Sequence, residues 1–241
     1  MNDNKITESV IAKKRTSKHC KYCMRQASFF KYLKEPELEL VNNNRYELLF
    51  NPGETIFKQG APSTHALSFT SGLAKVYVEG DSGRNTIVRF AKPVDFIAGP
   101  GLYVGNRHHF TITAIESSSV CVIDNSVFKS VMKSNFDFAE AYIQMLNKSY
   151  IKALIRISNQ VHKQSKGKTA ESLLYLSDEI YCSNPFGLTI NLKELSEFCG
   201  LSKESLSKTI KEFVDDGIII INRKKVEILK PDLLRQISLI G

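Results

Sequence analysis

Between Asn191 and Leu229 the spacing of apolar residues changes register twice. Leu192, Leu195 and Phe198 recur at helical steps. Asn191 stands before them with Glu194 three residues on, the pattern of a capping box. Cys199-Gly200-Leu201 breaks this run, with Gly200 where a left-handed residue is wanted. Ser202 is placed to cap a second helix. Its apolar side is Leu206, Ile210, Phe213 and Val214, and its polar side is Lys203, Glu204, Ser207, Lys208 and Lys211. Gly217 ends it. Ile218–Ile221 and Val226–Leu229 then read as two strands joined by Asn222-Arg223-Lys224-Lys225. Two short helices followed by a cationic hairpin predict a winged helix-turn-helix.

Upstream the pattern is different. From Arg45 to about Phe128, turn signals recur at short intervals: Pro52-Gly53, Gly60-Ala61-Pro62, Ser71-Gly72, Gly80 to Gly83 and Gly105-Asn106. Between them lie short β-forming runs at residues 73–78, 86–90 and 120–123, which predict an all-β sandwich or barrel. No strand–helix–strand alternation is visible, which argues against a nucleotide-binding parallel sheet.

From Phe136 to Val161 the step is helical again, through Ile143, Leu146, Tyr150, Leu154, Ile157 and Val161. Such a helix is ~39 Å long at 1.5 Å per residue, too long to bury against one small domain. A seam between two subunits uses such a stripe; packing on the chain's own β-domain is the alternative. Residues 163–168 are polar and predict a linker, and Thr169–Tyr181 a further helix that leads through Asn184-Pro185-Phe186-Gly187 into the helix-turn-helix. At the other end, residues 1–18 are expected to be flexible, and Phe29, Phe30 and Leu33 predict a short docking helix. The domain reading is a basic segment (1–34), a sensor domain (35–135), a dimerisation helix (136–162) and a DNA-binding domain (163–241).

Composition narrows the class. The chain has 241 residues, 42% of them hydrophobic, enough for one large or two modest cores. No apolar run is long enough to cross a bilayer, and residues 1–15 lack the apolar centre of a signal peptide, so a cytoplasmic protein is expected. Five cysteines do not suggest a disulfide framework in such a chain. The net charge of +8 divides as +7 over residues 1–34, −3 over 35–147 and +4 over 148–241. The acidic middle is a poor partner for nucleic acid, whereas the C-terminal third suits it. No nucleophile-with-base arrangement, paired acidic motif or P-loop is present, and Gly99-Pro100-Gly101 lacks the context of a dinucleotide fingerprint. An enzyme is not expected.

The order of these elements resembles the CRP/FNR family of bacterial transcription regulators over nearly the whole chain. Asn51-Pro52-Gly53-Glu54-Thr55-Ile56-Phe57-Lys58-Gln59-Gly60, followed by Ser71-Gly72-Leu73-Ala74-Lys75-Val76-Tyr77, is similar to the start of that family's cyclic-nucleotide-binding-type β-roll. Leu201-Ser202-Lys203-Glu204-Ser205-Leu206-Ser207-Lys208 resembles its recognition helix. The resemblance implies an α+β fold: an N-terminal β-roll, a long dimerisation helix and a C-terminal winged helix-turn-helix. It also implies a homodimer on double-stranded DNA, RNA polymerase as a partner, and effector control of the spacing of two recognition helices. The base-reading positions map onto Glu204, Ser207 and Lys208, where lysine replaces the family's arginine and lacks its planar two-pronged grip on guanine. Lys203, Lys211, Arg223, Lys224 and Lys225 are then expected to serve mainly the phosphates, and Ser202, which caps the helix, completes the expected DNA-binding set.

What the chain senses is less defined. Where the family's cyclic-AMP site carries a ribose-binding Glu, this chain has Gly99, and its arginine region reads His108-His109-Phe110-Thr111. Cyclic AMP is therefore not expected. The candidate effector pocket is Gly99, Gly101, Leu102, Arg107, His108 and His109, with Arg107 as a shifted phosphate partner. Cys20, Cys23 and Cys121 match cysteines of the oxygen-sensing branch, but the fourth thiolate of a cluster has no counterpart in Met24-Arg25-Gln26-Ala27-Ser28-Phe29-Phe30. Structural thiols, an iron–sulfur cluster, and a zinc site completed by His19 all remain as readings of these cysteines. The alternative function is a small-ligand or redox sensor module that controls a partner protein without sequence-specific DNA binding.

Overall fold

The structure is a computed structural model that describes Cys20, Cys23, residues 27–81, Gly83 and residues 85–241. The flexible tail expected at residues 1–18 lies outside the described residues. After a 3₁₀ turn at Ser28–Tyr32, the elements run α1 (Glu35–Asn43), β1 (Arg45–Phe50), β2 (Thr55–Phe57), β3 (His65–Ser71), β4 (Ala74–Glu79), β5 (Asn85–Ala91), β6 (Phe96–Ile97), β7 (Thr111–Ala114), β8 (Ser118–Asp124), α2 (Asn125–Ser134) and α3 (Phe136–His162). There follow α4 (Ser165–Tyr175), β9 (Phe186–Gly187), α5 (Leu192–Cys199), α6 (Lys203–Asp215), β10 (Ile219–Asn222), β11 (Lys225–Ile228) and α7 (Pro231–Ile240). They form two compact units. One runs to Ala74 and resumes over Ala91–Tyr142; the other comprises Lys75–Phe90 and Ile143–Gly241.

In the first unit, β1, β8, β3 and β6 make one antiparallel sheet in that order. The register sets Arg45 opposite Ile123 and Glu47 opposite Cys121 on one side of β8, and Ser68 opposite Cys121 on the other. β2 pairs with β7 through a bulge. The core is aromatic. Phe29 meets Phe96 edge-on at 5.1 Å between ring centres, Phe96 stacks on Phe128 at 5.0 Å, and Tyr142 closes on Phe128 at 5.1 Å. Such pairs add about 0.5–1.5 kcal/mol each beyond the apolar area they bury. The expected docking of Phe29 and Phe30 is thus found, as a 3₁₀ turn. Asn135 fixes it in place. Its amide nitrogen donates to the Tyr32 carbonyl (2.9 Å) and to Glu37 Oε2 (2.7 Å), while its Oδ1 accepts from the Phe138 N–H at the start of α3 (3.0 Å).

In the second unit, α3 continues as a 27-residue helix in all. Ile143, Leu146, Tyr150, Leu154, Ile157 and Val161 are exposed along it. The buried positions of the helix are Phe138 and Tyr142, in its first turns. The linker expected at residues 163–168 is shorter than its polarity suggested. α4 already begins at Ser165, with Thr169 Oγ1 bonded back to the Ser165 carbonyl (2.8 Å). Two lysines of the run have acidic partners: Lys163, between α3 and α4, pairs with Glu171 at 3.0 Å, and the exposed Lys166 of α4 with Glu212 at 2.9 Å. The helical path beyond Tyr175 continues as a π turn over Leu176–Ile180. In the C-terminal sheet, ordered β10-β11-β9, β10 and β11 sit within one residue of their expected bounds, and the short β9 is a third strand that the sequence pattern does not announce.

Candidate nucleic-acid interface

Each local signal read from Asn191 onward has a physical counterpart. Asn191 Oδ1 accepts from the Glu194 N–H, and Glu194 Oε2 accepts from the Asn191 N–H, both at 2.9 Å. This reciprocal box satisfies two of the orphan donors at the start of α5. Gly200 ends α5 in the left-handed conformation at φ 66°, which a Cβ resists. Ser202 Oγ then accepts from the Ser205 N–H at 3.1 Å and starts α6. Leu206 and Phe213 are buried and Ile210 is half-buried, which fixes the rotation of α6. The opposite face is left to solvent: Ser202, Lys203, Glu204, Ser207, Lys208 and Lys211 are all exposed. Glu204 sits at the helix start, where its own backbone N–H, Ser202 and Lys203 hold its carboxyl below the usual range and keep it an acceptor.

The hairpin after α6 is a three-stranded wing. Ile221 faces Val226, Asn222 faces Lys225, and Lys225 in turn faces Gly187 of β9. Arg223, Lys224 and Lys225 form an exposed tip. Arg223 takes a positive φ of 54°, so the turn is made by a charged residue in a conformation that favours glycine. Two residues that patterning missed hold this assembly. Asn184 bonds the backbone of Ile228 in both directions. Arg156 of α3 lies 3.8 Å over the Phe198 ring, and its Nη2 donates to the Phe198 carbonyl and, at 3.3 Å, to the Ile87 carbonyl. Lys75 of β4 pairs with the buried Glu194 at 2.9 Å. A lone Asn before a proline or an Arg on a helix carries no pattern that flags these roles.

The candidate effector residues come together in the first unit, but in a closed arrangement. Gly101 lies against the backbone of Arg107, and a Cβ there would run into the Arg107 carbonyl. His108 exchanges backbone bonds with Ala61 (2.9 Å) and Gly60 (2.8 Å) and stacks on Phe57 at 4.0 Å between ring centres. Burial holds the His108 imidazole below its ordinary pKa, and His109 adds to this. Leu102 is buried and His109 exposed. The exposed Arg107 spends its guanidinium on the Gly60 carbonyl at 2.7 Å, and Gly99 offers no carboxylate. These residues do not fit a cyclic nucleotide gripped by its ribose and phosphate.

Two of the N-terminal-unit thiols meet at an arginine, and the third, Cys23, lines the same pocket. Arg45 Nε donates to Cys20 Sγ at 2.8 Å and its Nη1 to Cys121 Sγ at 3.4 Å. Cys199 and Cys182 belong to the other unit, the first buried in α5 and the second exposed. His19 lies outside the described residues. Among the described residues no group of three or more His, Cys, Asp or Glu has the geometry to hold a metal ion. The residues present do not fit an iron–sulfur cluster.

Residues 47–135 match the cyclic nucleotide-binding domain family, and residues 167–237 match the Crp-like helix-turn-helix domain. The chain belongs to the CRP/FNR family of transcription regulators. Among its relatives are the nitrogen fixation regulation protein FixK of Bradyrhizobium diazoefficiens, 23% identical over 92% of this chain and 95% of the relative, and the transcriptional activator protein Anr of Pseudomonas protegens, 26% identical over 74% and 75%. Among solved structures, FixK2 from Bradyrhizobium japonicum superposes with a TM-score of 0.74 at 18% identity, covering 81% of this chain and 98% of that one. A putative crp/fnr-family transcriptional regulator from Eubacterium rectale gives 0.73 at 18% identity, over 88% and 98%. The CRP/FNR fold expected from the order of elements is therefore found: a β-sheet domain of the cyclic-nucleotide-binding kind, a long helix and a C-terminal helix-turn-helix. As a CRP/FNR regulator the chain is a DNA-binding protein, and the exposed faces of α6 and the wing are its candidate reading surface. Among the described residues no helix is long and apolar enough to cross a membrane.

Proposed function

We propose that this CRP/FNR regulator binds operator DNA as a homodimer and reads each half-site with α6. The observation that carries the reading is the capped, fully exposed polar face of α6 beside a cationic wing tip. Glu204, Ser207 and Lys208 project from the first two turns, the part of a recognition helix that reaches base edges. Lys203, Lys211, Arg223, Lys224 and Lys225 contact phosphates, which gives affinity without sequence preference, and Ser202 caps the helix at the same surface. Residues 35–135 act as the sensor domain, 136–162 as the dimerisation helix and 163–241 as the DNA-binding domain. The exposed stripe of α3, with Tyr150 63% and Ile157 61% exposed in the single chain, is the seam. An effector acts by favouring the dimer arrangement in which the two α6 helices stand about one DNA turn, ~34 Å, apart. RNA polymerase is the partner through which a bound dimer alters transcription.

The test is selection of bound sequences from a random duplex pool, followed by titration of the enriched palindrome and of unselected DNA. Lys208→Ala is expected to weaken the palindrome by roughly 1–3 kcal/mol while changing unselected DNA far less. Equal losses on both would make Lys208 a phosphate contact. Equal affinity of the unaltered protein for both DNAs would overturn sequence-specific reading. Sedimentation across a hundredfold concentration range tests the dimer independently: a particle that stays monomeric throughout would overturn it.

A further inference from the structure

The meeting of Cys20, Cys23, Cys121 and Arg45 has no part in DNA binding, yet it is a built site. Cys20 comes from the segment before α1, Arg45 opens β1 and Cys121 lies in β8. Arg45 and Cys121 are diagonal neighbours on one face of the β1–β8 pair, since Arg45 faces Ile123 and Glu47 faces Cys121. Asn42 Oδ1 accepts from the Cys20 N–H (3.1 Å) and from Arg45 Nη2 (3.2 Å), so one amide oxygen positions both partners. The Cys23 N–H donates to the Cys20 carbonyl at 3.0 Å. A backbone bond of this kind between residues three apart holds their Cα atoms within about 7 Å. Disulfides need that separation, about 4.4–6.8 Å. Cys20 and Cys121 are buried, whereas Cys23 is partly open to solvent. Cys20, Cys23, Phe30, Arg45, Thr70 and Cys121 line one small pocket.

We propose that Cys20 and Cys23 form a two-electron thiol–disulfide site that reacts with hydroperoxides, with Arg45 as its cationic partner. Cys23, the accessible thiol, attacks as thiolate on the terminal oxygen of the hydroperoxide. The O–O bond breaks, the leaving oxygen takes a proton and departs as alcohol or water, and Cys23 carries a sulfenic acid. The Cys20 sulfur then attacks the Cys23 sulfur. The S–O bond breaks, and the hydroxide leaves with the Cys20 proton as water. In sum, two thiols and one hydroperoxide give one disulfide, one alcohol (water from hydrogen peroxide) and one water. Arg45 favours the thiolate form of Cys20 as it attacks. Burial pushes the thiols of Cys20 and Cys121 up, the latter to about 11, and at both Arg45 opposes it. Cys121 is not the partner, because the guanidinium stands between it and Cys20 and bonds both. A disulfide of this type suits a transient, sensing role in a reducing compartment.

The test uses the reduced full-length protein and tert-butyl hydroperoxide, with free thiols counted and peptides mapped by mass. Lys21 lies between the two cysteines, so trypsin separates Cys20 from Cys23 only where they can part. Oxidation is expected to lower the free thiols from five to three, the five being those of the sequence, and to leave the two tryptic peptides tied until reductant is added. Cys121→Ser is expected to leave this unchanged and Cys23→Ser to abolish it. Arg45→Met is expected to slow it about tenfold, the effect of one unit in thiol acidity. The exposed Cys182 serves as the internal comparison. Oxidation of Cys182 ahead of the pair, a Cys20–Cys121 link, or full reaction in Cys23→Ser would each overturn the proposal. None of these readouts depends on DNA.

Discussion

The side-chain amide of Asn184 pairs with the backbone of Ile228 as though it were a neighbouring strand: Nδ2 donates to the Ile228 carbonyl at 2.9 Å, and Oδ1 accepts from its N–H at 2.8 Å. Ile228 is the last residue of β11, so this pair anchors the base of the wing whose tip carries Arg223 and Lys224. Asn184→Ala leaves a donor and an acceptor of Ile228 without partners. The expected cost is about 2–3 kcal/mol in urea unfolding. Asn184→Asp keeps the acceptor but sets a carboxylate oxygen against the Ile228 carbonyl, and is expected to cost at least as much. A loss within ~0.5 kcal/mol for both would show that the amide only decorates the wing.

Arg223 joins two opposing requirements in one residue. At φ 54° it occupies a region that glycine enters without strain, while its guanidinium stands at the exposed tip proposed to meet phosphate. Arg223→Gly is therefore expected to stabilise the C-terminal unit by up to about 1 kcal/mol. The same change should weaken binding to all DNA sequences alike and reduce the salt dependence by about one phosphate contact. Thermal unfolding and titrations at several salt concentrations separate the two effects. A variant that is both less stable and less salt-dependent would contradict the strain argument.

His108 gives a pH dependence with a definite sign. Its imidazole is held below the ordinary value of 6.5, chiefly by burial and then by His109. The unfolded chain thus takes up this proton at a higher pH than the folded one. The contribution to stability is intact above about pH 6.5 and declines as the pH falls from there towards the lower folded value. His108→Gln is expected to flatten unfolding free energy against pH in that window and to leave the profile above pH 7 unchanged. Urea midpoints at half-unit steps from pH 5 to 8 measure this. A profile for His108→Gln that parallels the unaltered protein would assign the slope to other groups.

Much of this fold was legible because local signals and burial agree. Asn191 and Glu194 form the capping box their spacing predicts, and Leu206 and Phe213 turn the polar face of α6 outward as their period requires. The linker was misjudged for a physical reason. Residues 165–168 already belong to a helix, in which Lys166 meets the Glu212 carboxylate and Gly167 is buried, so polarity there did not mark a break in structure. Helices α1, α2 and α7 are not announced by the sequence pattern, whereas the shorter α5 is, because the Asn191–Glu194 capping box and Gly200 bracket its period. The least legible features were long-range. Nothing in the spacing of Cys20, Arg45 and Cys121 announces that they meet, because strand register alone brings Arg45 beside Cys121. Asn184 with Ile228 and Arg156 with Phe198 are of the same kind.

Arg156 offers the sharpest separation of charge from shape. Its guanidinium is half-buried, lies on the Phe198 ring and serves two carbonyls, those of Phe198 and Ile87; burial pulls its pKa down, with Tyr175, Cys199 and Glu171 opposing. Replacement by lysine keeps the buried charge but gives up the planar stack and the fork that reaches both oxygens. Replacement by methionine gives up the bonds yet also removes the cost of burying a charge, and its thioether still packs on the ring. Arg156→Lys is therefore expected to destabilise the unit by about 2–3 kcal/mol and Arg156→Met by about 1–2 kcal/mol. This order is the reverse of what conservation of charge predicts. Paired urea unfolding curves decide it. Should lysine prove the milder substitution, the positive charge itself, and not the flat contact with Phe198, is what joins α3 to the first helix of the helix-turn-helix.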